Sequence, residues 1–319
     1  MSDPVAPALA LWGFDGAACE FVAGRENRVY AVRSPEGHFA LRLRRPGYRS
    51  AAELLSELHW LDAMHRAGLS VPRPRPALSG ALLETVQGQH VDMVGWLSGR
   101  AMGQGREPLA LADAAGVFHR LGAEIARLHN ACDDWQRPAG FERCHWDAEG
   151  LLGEAPLWGR FWENPHLDPG TRRLIGRFRD EARRILAAEA ATLDYGLIHA
   201  DLVRENVLID GATLRLLDFD DGGFGFRLFD LATVLNKALD EPDFPALRAA
   251  LLVGYRSLRP LDDRLLDLFI ALRALTYVGW IVPRMLEDGA PARNARFIAQ
   301  ARRLCSQPFG QAQRIGGGA

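Results

Sequence analysis

A change of hydrophobic period near residue 109 constrains this chain more than any other feature. Upstream, the runs CEFVA, RVYAV and HFALRL are short, rich in β-branched and aromatic residues, and separated by the turn-forming GRENR and SPEGH, the pattern of an antiparallel meander. The next stretch, SAAELLSELHWLDAMHRAGL, sets Ser50 and Glu53 at capping-box spacing and repeats Leu54, Leu55, Leu58 and Leu61 at helical intervals, so a helix packed on the sheet is expected. VPRPRPALSG then holds the chain extended, and ALLETV and HVDMVGWL read as two further strands. Downstream the period becomes helical in DAAGVFHRLGAEIARLHNAC, TRRLIGRFRDEARRILAAEA, FRLFDLATVLNKAL and DRLLDLFIALRALTYVGWIVPRML.

The expected class is therefore α+β in two lobes: an antiparallel five-stranded sheet with one helix, then a mostly helical lobe. Residues 1–95 form the first lobe, glycine-rich residues 96–108 the hinge or linker, 109–308 the second lobe, and 309–319, ending IGGGA, a disordered tail. With 319 residues the chain is long enough for each lobe to bury a core.

Charge and composition narrow the partners. A net charge of −2 offers no global positive field for nucleic acid or anionic lipid. No run reaches the roughly 18–20 apolar residues of a membrane helix, and the start lacks a basic leader, so a cytoplasmic location is expected. Cys19, Cys132, Cys144 and Cys305 are too scattered for a disulfide framework. His129, Cys132, Cys144 and His145 lack a zinc-ligand spacing. The arginines of residues 172–184 alternate with Asp180 and Glu181 around a helix, a solvated face with ion pairs. Of 38 basic residues only Lys237 is lysine, so arginine carries the cationic work.

One stretch breaks the helical pattern: GLIHADLVRENVLIDGATLRLLDFDDGG, in which brief strand-like runs separate His199, Asp201, Asn206 and Asp218. Taken singly these are ordinary turn and cap residues. Should NVLID and LRLLD pair as a hairpin across Gly211, Asn206 and Asp218 lie near one end of it. Two oxygen donors there suit Mg²⁺, which shares its shell with water and substrate phosphates. Asp201 is left to orient a hydroxyl and accept its proton, as phosphoryl transfer requires. Asp220 and Asp221 either extend the metal shell, attract a cationic substrate or form a solvated turn. Asp230 either caps the following helix or braces the loop.

The string His199-x-Asp201-x-x-x-x-Asn206, followed by Asp218 after an apolar run, resembles the catalytic and metal-binding segments of protein-kinase-like folds. The wording LIHADLVRENVLIDG…LLDFDDGGFGFRLFDLA is similar to the aminoglycoside phosphotransferase and choline kinase branch. RENRVYAV, ALRLRRP and LRALTYVGWIV resemble its homoserine-kinase-type and stress-response Ser/Thr kinase-type members. The likeness spans about residues 18–305. It implies ATP and Mg²⁺ as cofactors, Asp201 as catalytic base, His199 bracing its loop, and Asn206 and Asp218 on the metal. Arg42, closing FALR, stands where the branch has a phosphate-gripping lysine, with Glu57 as its ion-pair partner, or Glu53 one turn earlier. AGRENR, with Gly24 and Asn27, corresponds to the nucleotide loop without its full glycine pattern. Met93, Val94, Gly95 and Trp96 correspond to the adenine hinge, although Trp96 reads more readily as packing.

For the acceptor, the resemblance implies a small hydroxylated, amine-bearing molecule such as homoserine or a similar amino alcohol. Asp220, Asp221, Tyr277, Trp280 and Arg284 are the pocket candidates, Tyr277 and Trp280 being at positions that are otherwise core. Rival readings are a protein Ser/Thr kinase, an aminoglycoside phosphotransferase, and a nucleotide-binding scaffold without turnover, the last suggested by the absent lysine. Nothing in the sequence indicates the oligomeric state.

Overall fold

The computed structural model describes residues 3–24, 27–105 and 107–307; the expected tail at 309–319 lies outside them. In chain order the elements are α1 (Val5–Ala10), β1 (Ala18–Ala23), β2 (Arg28–Ser34), β3 (Gly37–Leu43), α2 (Ala51–Arg66), β4 (Leu83–Val86), β5 (Gln89–Gly95), β6 (Arg100–Ala101) and α3 (Ala114–Asp134). There follow β7 (His145–Trp146), α4 (Ala148–Leu152), α5 (Pro169–Glu189), β8 (Tyr195–Ile198), β9 (Val207–Asp210), β10 (Thr213–Leu216) and β11 (Gly223–Phe226). The chain ends in α6 (Leu228–Asn236), α7 (Phe244–Arg256), α8 (Leu266–Trp280) and α9 (Ala290–Cys305). No helix among the described residues is long and apolar enough to cross a membrane.

The chain packs as two compact units, each drawn from several stretches. The first takes Met1–Met102, Asp134–Arg143 and Glu205–Asp220; the second takes Gly103–Asp133, Cys144–Arg204 and Asp221–Ala319. The units are thus discontinuous in sequence, whereas the lobes expected from the chain are linear.

The first unit carries the five-stranded antiparallel sheet, in the order β1-β2-β3-β5-β4. Strands β1, β2 and β3 form the expected antiparallel meander, and Arg42 on β3 faces Asp92 on β5 across the register. Helix α2 starts where the capping box places it. Ser50 Oγ accepts from Glu53 N at 3.1 Å and the Glu53 carboxylate accepts from Ser50 N at 2.9 Å, relieving two otherwise orphaned donors. Leu54, Leu58 and Leu61 are buried as expected, but Leu55 is exposed: the buried stripe runs through Trp60 and Met64 instead. A second sheet, β10-β9-β6, recruits part of the expected linker. Gly99 permits this approach, having φ +123° and a site where a Cβ would meet Ile209 O at 2.9 Å.

The second unit holds the mixed sheet β7-β11-β8, in which β11 pairs parallel to β7 and antiparallel to β8. α8 packs against α6 and α9, and it is buried from Leu266 to Gly279, Asp267 excepted. A helix apolar all round belongs to a core, and this burial carries Arg273 and Tyr277 inside with it.

Candidate active site

In the second unit, β8 ends at Ile198 and leads directly into His199, Ala200 and Asp201. Ala200 takes the left-handed conformation, φ 64°, which costs an L-residue on the order of 1 kcal/mol. Asp230 holds the turn. Its fully buried carboxylate on α6 accepts from His199 N at 2.9 Å and Ala200 N at 2.7 Å. Of the two roles open to Asp230, bracing is therefore the one seen; no side-chain bond caps α6. The Asp201 amide in turn meets His199 Nδ1 at 3.3 Å. Arg204 pins the far end of the loop, donating to Lys237 O and Glu241 Oε1, each at 2.6 Å.

Electrostatics reinforces the brace. His129 Nε2 lies 3.1 Å from Asp230 and its Nδ1 lies 2.8 Å from Tyr255 Oη. Burial, with the charge of Arg227, pushes the His129 pKa down to about 4 against the pull of Asp230. At neutral pH the ring is therefore uncharged: Nε2–H donates to the carboxylate and Nδ1 accepts from the phenol. Burial works to raise the Asp230 pKa, but the hydrogen bond from His129 and the backbone N–H of His199 outweigh it and lower it.

Asp201 itself is ion-paired to Arg273 of α8, a guanidinium with no solvent exposure. Arg273 Nη2 also donates to Tyr277 Oη at 2.9 Å, one helical turn away. The guanidinium carbon lies 4.4 Å from the Trp158 ring centroid and 4.5 Å from that of Tyr277. Trp158 adjoins both Tyr277 and Trp280, and Arg284 lies over Trp280 at 4.2 Å. The unit thus gathers Asp201, His199 and Tyr277 into one set of contacts, with Trp280 and Arg284 at its edge. Asp221 acts on Arg273 by charge, while its backbone oxygen accepts from Trp146 Nε1 at 2.8 Å.

In the first unit, β9 and β10 form the expected hairpin, Leu216 opposite Val207. Beyond that pair, Leu217 N donates to Asn206 O at 2.8 Å. Asn206 and Asp218 are thereby neighbours at the open end, and Asp218 is left-handed with φ 62°. The segment after it is tied down by Arg143, which donates to Phe219 O at 2.9 Å and Asp220 O at 2.7 Å.

Arg42 donates to Asp92 Oδ1 at 2.6 Å and to Glu57 Oε1 at 2.9 Å, while its Nη2 is buried without a hydrogen-bond partner. Arg44, two residues on and facing the same way, pairs with Asp92 at 2.5 Å and Glu57 at 3.0 Å. Glu57, not Glu53, is the partner: Glu53 is occupied with the cap and with Arg49. Burial opposes its charge, yet Arg44, Arg42 and Arg143 together hold the Glu57 carboxyl far below the usual carboxylate range. Asp220, expected at an acceptor site or metal shell, is instead 6% exposed, bonded to Arg44 at 3.1 Å and to Asn27 Nδ2 at 3.3 Å. Burial and the neighbouring Glu57 carboxylate raise its pKa despite Arg44. Residues 25 and 26 of the expected nucleotide loop lie outside the described residues. At the expected hinge, Met93 and Val94 are buried. The backbone of Met93 and Gly95 is engaged by residues 73–75, at 2.8 Å in each case. Trp96 stacks on His38 with ring centroids 4.4 Å apart.

The family model of the phosphotransferase enzyme family matches residues 18–269. The chain belongs to that family. A homoserine kinase of Acidiphilium cryptum (strain JF-5) is 33% identical to this phosphotransferase over 250 residues, which are 75% of this chain and 71% of that protein. Amicoumacin kinase of Bacillus subtilis (strain 168) is 27% identical over 244 residues, 76% of this chain and 69% of its own. A solved microcompartment-associated aminopropanol kinase matches with a TM-score of 0.81 at 30% identity, covering 94% of this chain and 95% of that one. The expected protein-kinase-like fold and the phosphotransferase class stand on these findings.

Arg44, Arg143, Arg273 and Lys237 were not singled out as site residues by sequence. Arg44 carries a signal in its i, i+2 relation to Arg42 on a strand, and Arg273 in its i, i+4 relation to Tyr277 on a helix. Lys237 is marked by being the sole lysine. Arg143 has no local signal.

Proposed function

We propose that this phosphotransferase moves the γ-phosphoryl group of ATP, with Mg²⁺, to the hydroxyl of a small amino alcohol such as homoserine. The relatives named above act, by their names, on homoserine, aminopropanol and amicoumacin, and their shared feature is a hydroxylated, amine-bearing molecule. The single observation that carries the reading is Asp201 itself, a carboxylate on a turn fastened by Asp230 and held from behind by the buried Arg273. A base so fixed meets its substrate without reorganising, which is where positioned catalysis gains its rate.

In the transfer, the acceptor oxygen forms a bond to the γ-phosphorus as the bond from that phosphorus to the bridging oxygen of ADP breaks. Asp201 orients the hydroxyl and takes its proton. His199 supports the Asp201 amide. The donors present fit the implied cofactors. Asn206 and Asp218 are hard oxygen donors joined at one hairpin end. No group of three or more His, Cys, Asp or Glu among the described residues could hold a metal ion. A two-donor site that leaves the remaining shell to water and phosphate is what Mg²⁺ accepts. When bound, the ion neutralises charge on the transferring phosphates. Arg42 offers its buried, unpartnered Nη2 to a phosphate while Glu57 and Asp92 fix the rest of the guanidinium.

Purified protein with MgATP and a panel of amino alcohols tests the reading. Asp201→Ala should lower transfer by roughly 10²–10⁴-fold while nucleotide binding, read by calorimetry, is retained. Transfer by that variant at the wild-type rate rules Asp201 out as the base.

A further inference from the structure

We propose that the acceptor is a zwitterionic hydroxy amino acid and that Lys237 binds its carboxylate, a specificity that deepens the phosphotransfer reading and rests on it.

The first observation is where the chain's one ammonium lies. Lys237 follows α6, is half-buried, and places Nζ 4.4 Å from the centroid of the Tyr277 ring. No carboxylate pairs with it among the described residues. The π face is worth about 0.5–1 kcal/mol at a partly exposed site, less than a charge-assisted hydrogen bond to a carboxylate. All three ammonium donors remain available to an anion.

The second is what Tyr277 touches. Its hydroxyl receives Arg273 Nη2, and the same nitrogen is ion-paired to Asp201. Lys237 is therefore three contacts from the reacting carboxylate, with Tyr277 and Arg273 between them. Arg273 is wholly buried, and its Nε and Nη1 have no hydrogen-bond partner. A desolvated guanidinium so incompletely matched leaves positive potential around it.

The third is the charge balance. Asp220, the acidic residue expected to welcome an amine, is committed to Arg44 in the first unit. In the second unit Arg204 pairs with Glu241 and Arg284 with Glu287, so the balance near Tyr277 rests on the cations Lys237 and Arg273 against Asp201 and Asp221, the latter acting on Arg273 through space. A purely cationic amino alcohol brings a third positive charge and leaves Lys237 without a partner. A hydroxy amino acid brings an ammonium for the acidic end and a carboxylate for Lys237, adding no net charge. Like charges facing each other at a binding site disfavour the wrong ligand as contacts favour the right one.

L-homoserine and 3-aminopropan-1-ol differ only by the carboxylate and form a matched pair of probes. With MgATP, the wild type should show kcat/KM for L-homoserine at least about tenfold above that for 3-aminopropan-1-ol, the scale of one charge-assisted hydrogen bond. Lys237→Met should erase this preference by raising KM for L-homoserine roughly tenfold, with kcat within about twofold and the 3-aminopropan-1-ol parameters unmoved. Lys237→Gln replaces it should the methionine variant not fold, and Lys237→Arg should restore part of the preference. Calorimetric titration of both probes, without nucleotide, keeps the two readings distinct. If neither is phosphorylated but L-homoserine binds the wild type and not Lys237→Met, the carboxylate site stands and the phosphotransfer reading falls. Equal handling of the two probes by the wild type, or an equal loss for both in Lys237→Met, overturns the proposal.

Discussion

Glu57 and Asp230 are both carboxylates with no solvent exposure, one in each unit, and they are stabilised by different means. Glu57 sits among guanidinium groups: Arg42 at 2.9 Å, Arg44 at 3.0 Å and Arg143 at 3.9 Å. Asp230 faces two backbone N–H groups and a histidine that burial keeps neutral. The first arrangement matches charge with charge and orients a cation, Arg42. The second matches charge with dipoles and orients a backbone turn, the one that presents Asp201. Phosphoryl transfer asks for both, a fixed cation for phosphate and a fixed base for the hydroxyl.

Neutralising each carboxylate in turn separates the two arrangements most directly. Glu57→Gln leaves Arg42, Arg44 and Arg143 with Asp92 and Asp220 as the only carboxylates near them among the described residues, and removing one partner of a buried charged set costs about 3–5 kcal/mol. Asp230→Asn keeps one oxygen where the carboxylate offers one to each of the two loop N–H groups, so a single N–H loses its acceptor, and it should cost less, about 1–3 kcal/mol. Urea unfolding of the two variants beside the wild type checks the order. Equal losses, or the reverse order, would mean that the two sites are not stabilised differently.

The pH dependence sharpens the contrast. The His129 pKa is about 4 in the folded protein against an ordinary value of 6.5. The unfolded chain therefore takes up this proton first. The stability tied to neutral His129 is complete above pH 6.5, declines as pH falls towards about 4, and is flat below that. The span corresponds to roughly 3 kcal/mol. Glu57, held far below the carboxylate range, stays ionised throughout this window. Stability measured at pH 7.5 and 4.5 should fall in the wild type and fall less in His129→Phe, whereas Glu57→Gln should keep the wild-type slope. A His129→Phe slope as steep as the wild type's assigns the loss to other groups.

Much of this frame was legible in the residues. The Ser50–Glu53 spacing located the start of α2, and the turn at Gly211 predicted the hairpin that brings Asn206 beside Asp218. What stayed hidden depended on tertiary packing. α1 lies in a proline-bearing stretch with no helical signature, yet Val5, Ala8, Leu9 and Trp12 are buried with Val32, Leu41 and Met93 of the sheet. β11 runs through GFGF, where glycines argue against a strand, and its partner β7 is two residues long. Arg143 looks like any other arginine until folding carries it to the carbonyls of Phe219 and Asp220. Asp220 stayed open for the converse reason: an aspartate so close to Asp218 can be read as metal shell, acceptor site or solvated turn, while its partner Arg44 is 176 residues distant in sequence.

The gentlest test exchanges Arg42 for lysine, the residue that this strand position has in the branch the chain resembles. Arg42 meets Asp92 through Nε and Glu57 through Nη1, and keeps Nη2 in reserve. An ammonium at the end of a flexible stem cannot span both carboxylates as a planar fork and still present a third arm. Because Arg44 already pairs with the same two carboxylates, Arg42→Lys should cost only about 1 kcal/mol of stability. Its effect should fall on nucleotide binding: KM for MgATP should rise severalfold, on the order of 1 kcal/mol, with kcat little changed. Steady-state kinetics with ATP varied decides the matter. A fallen kcat at unchanged KM would place Arg42 on the transferring group in the transition state rather than on the bound nucleotide, and a fully wild-type profile would show that Glu57 and Asp92 hold the charge in place whichever cation they are given.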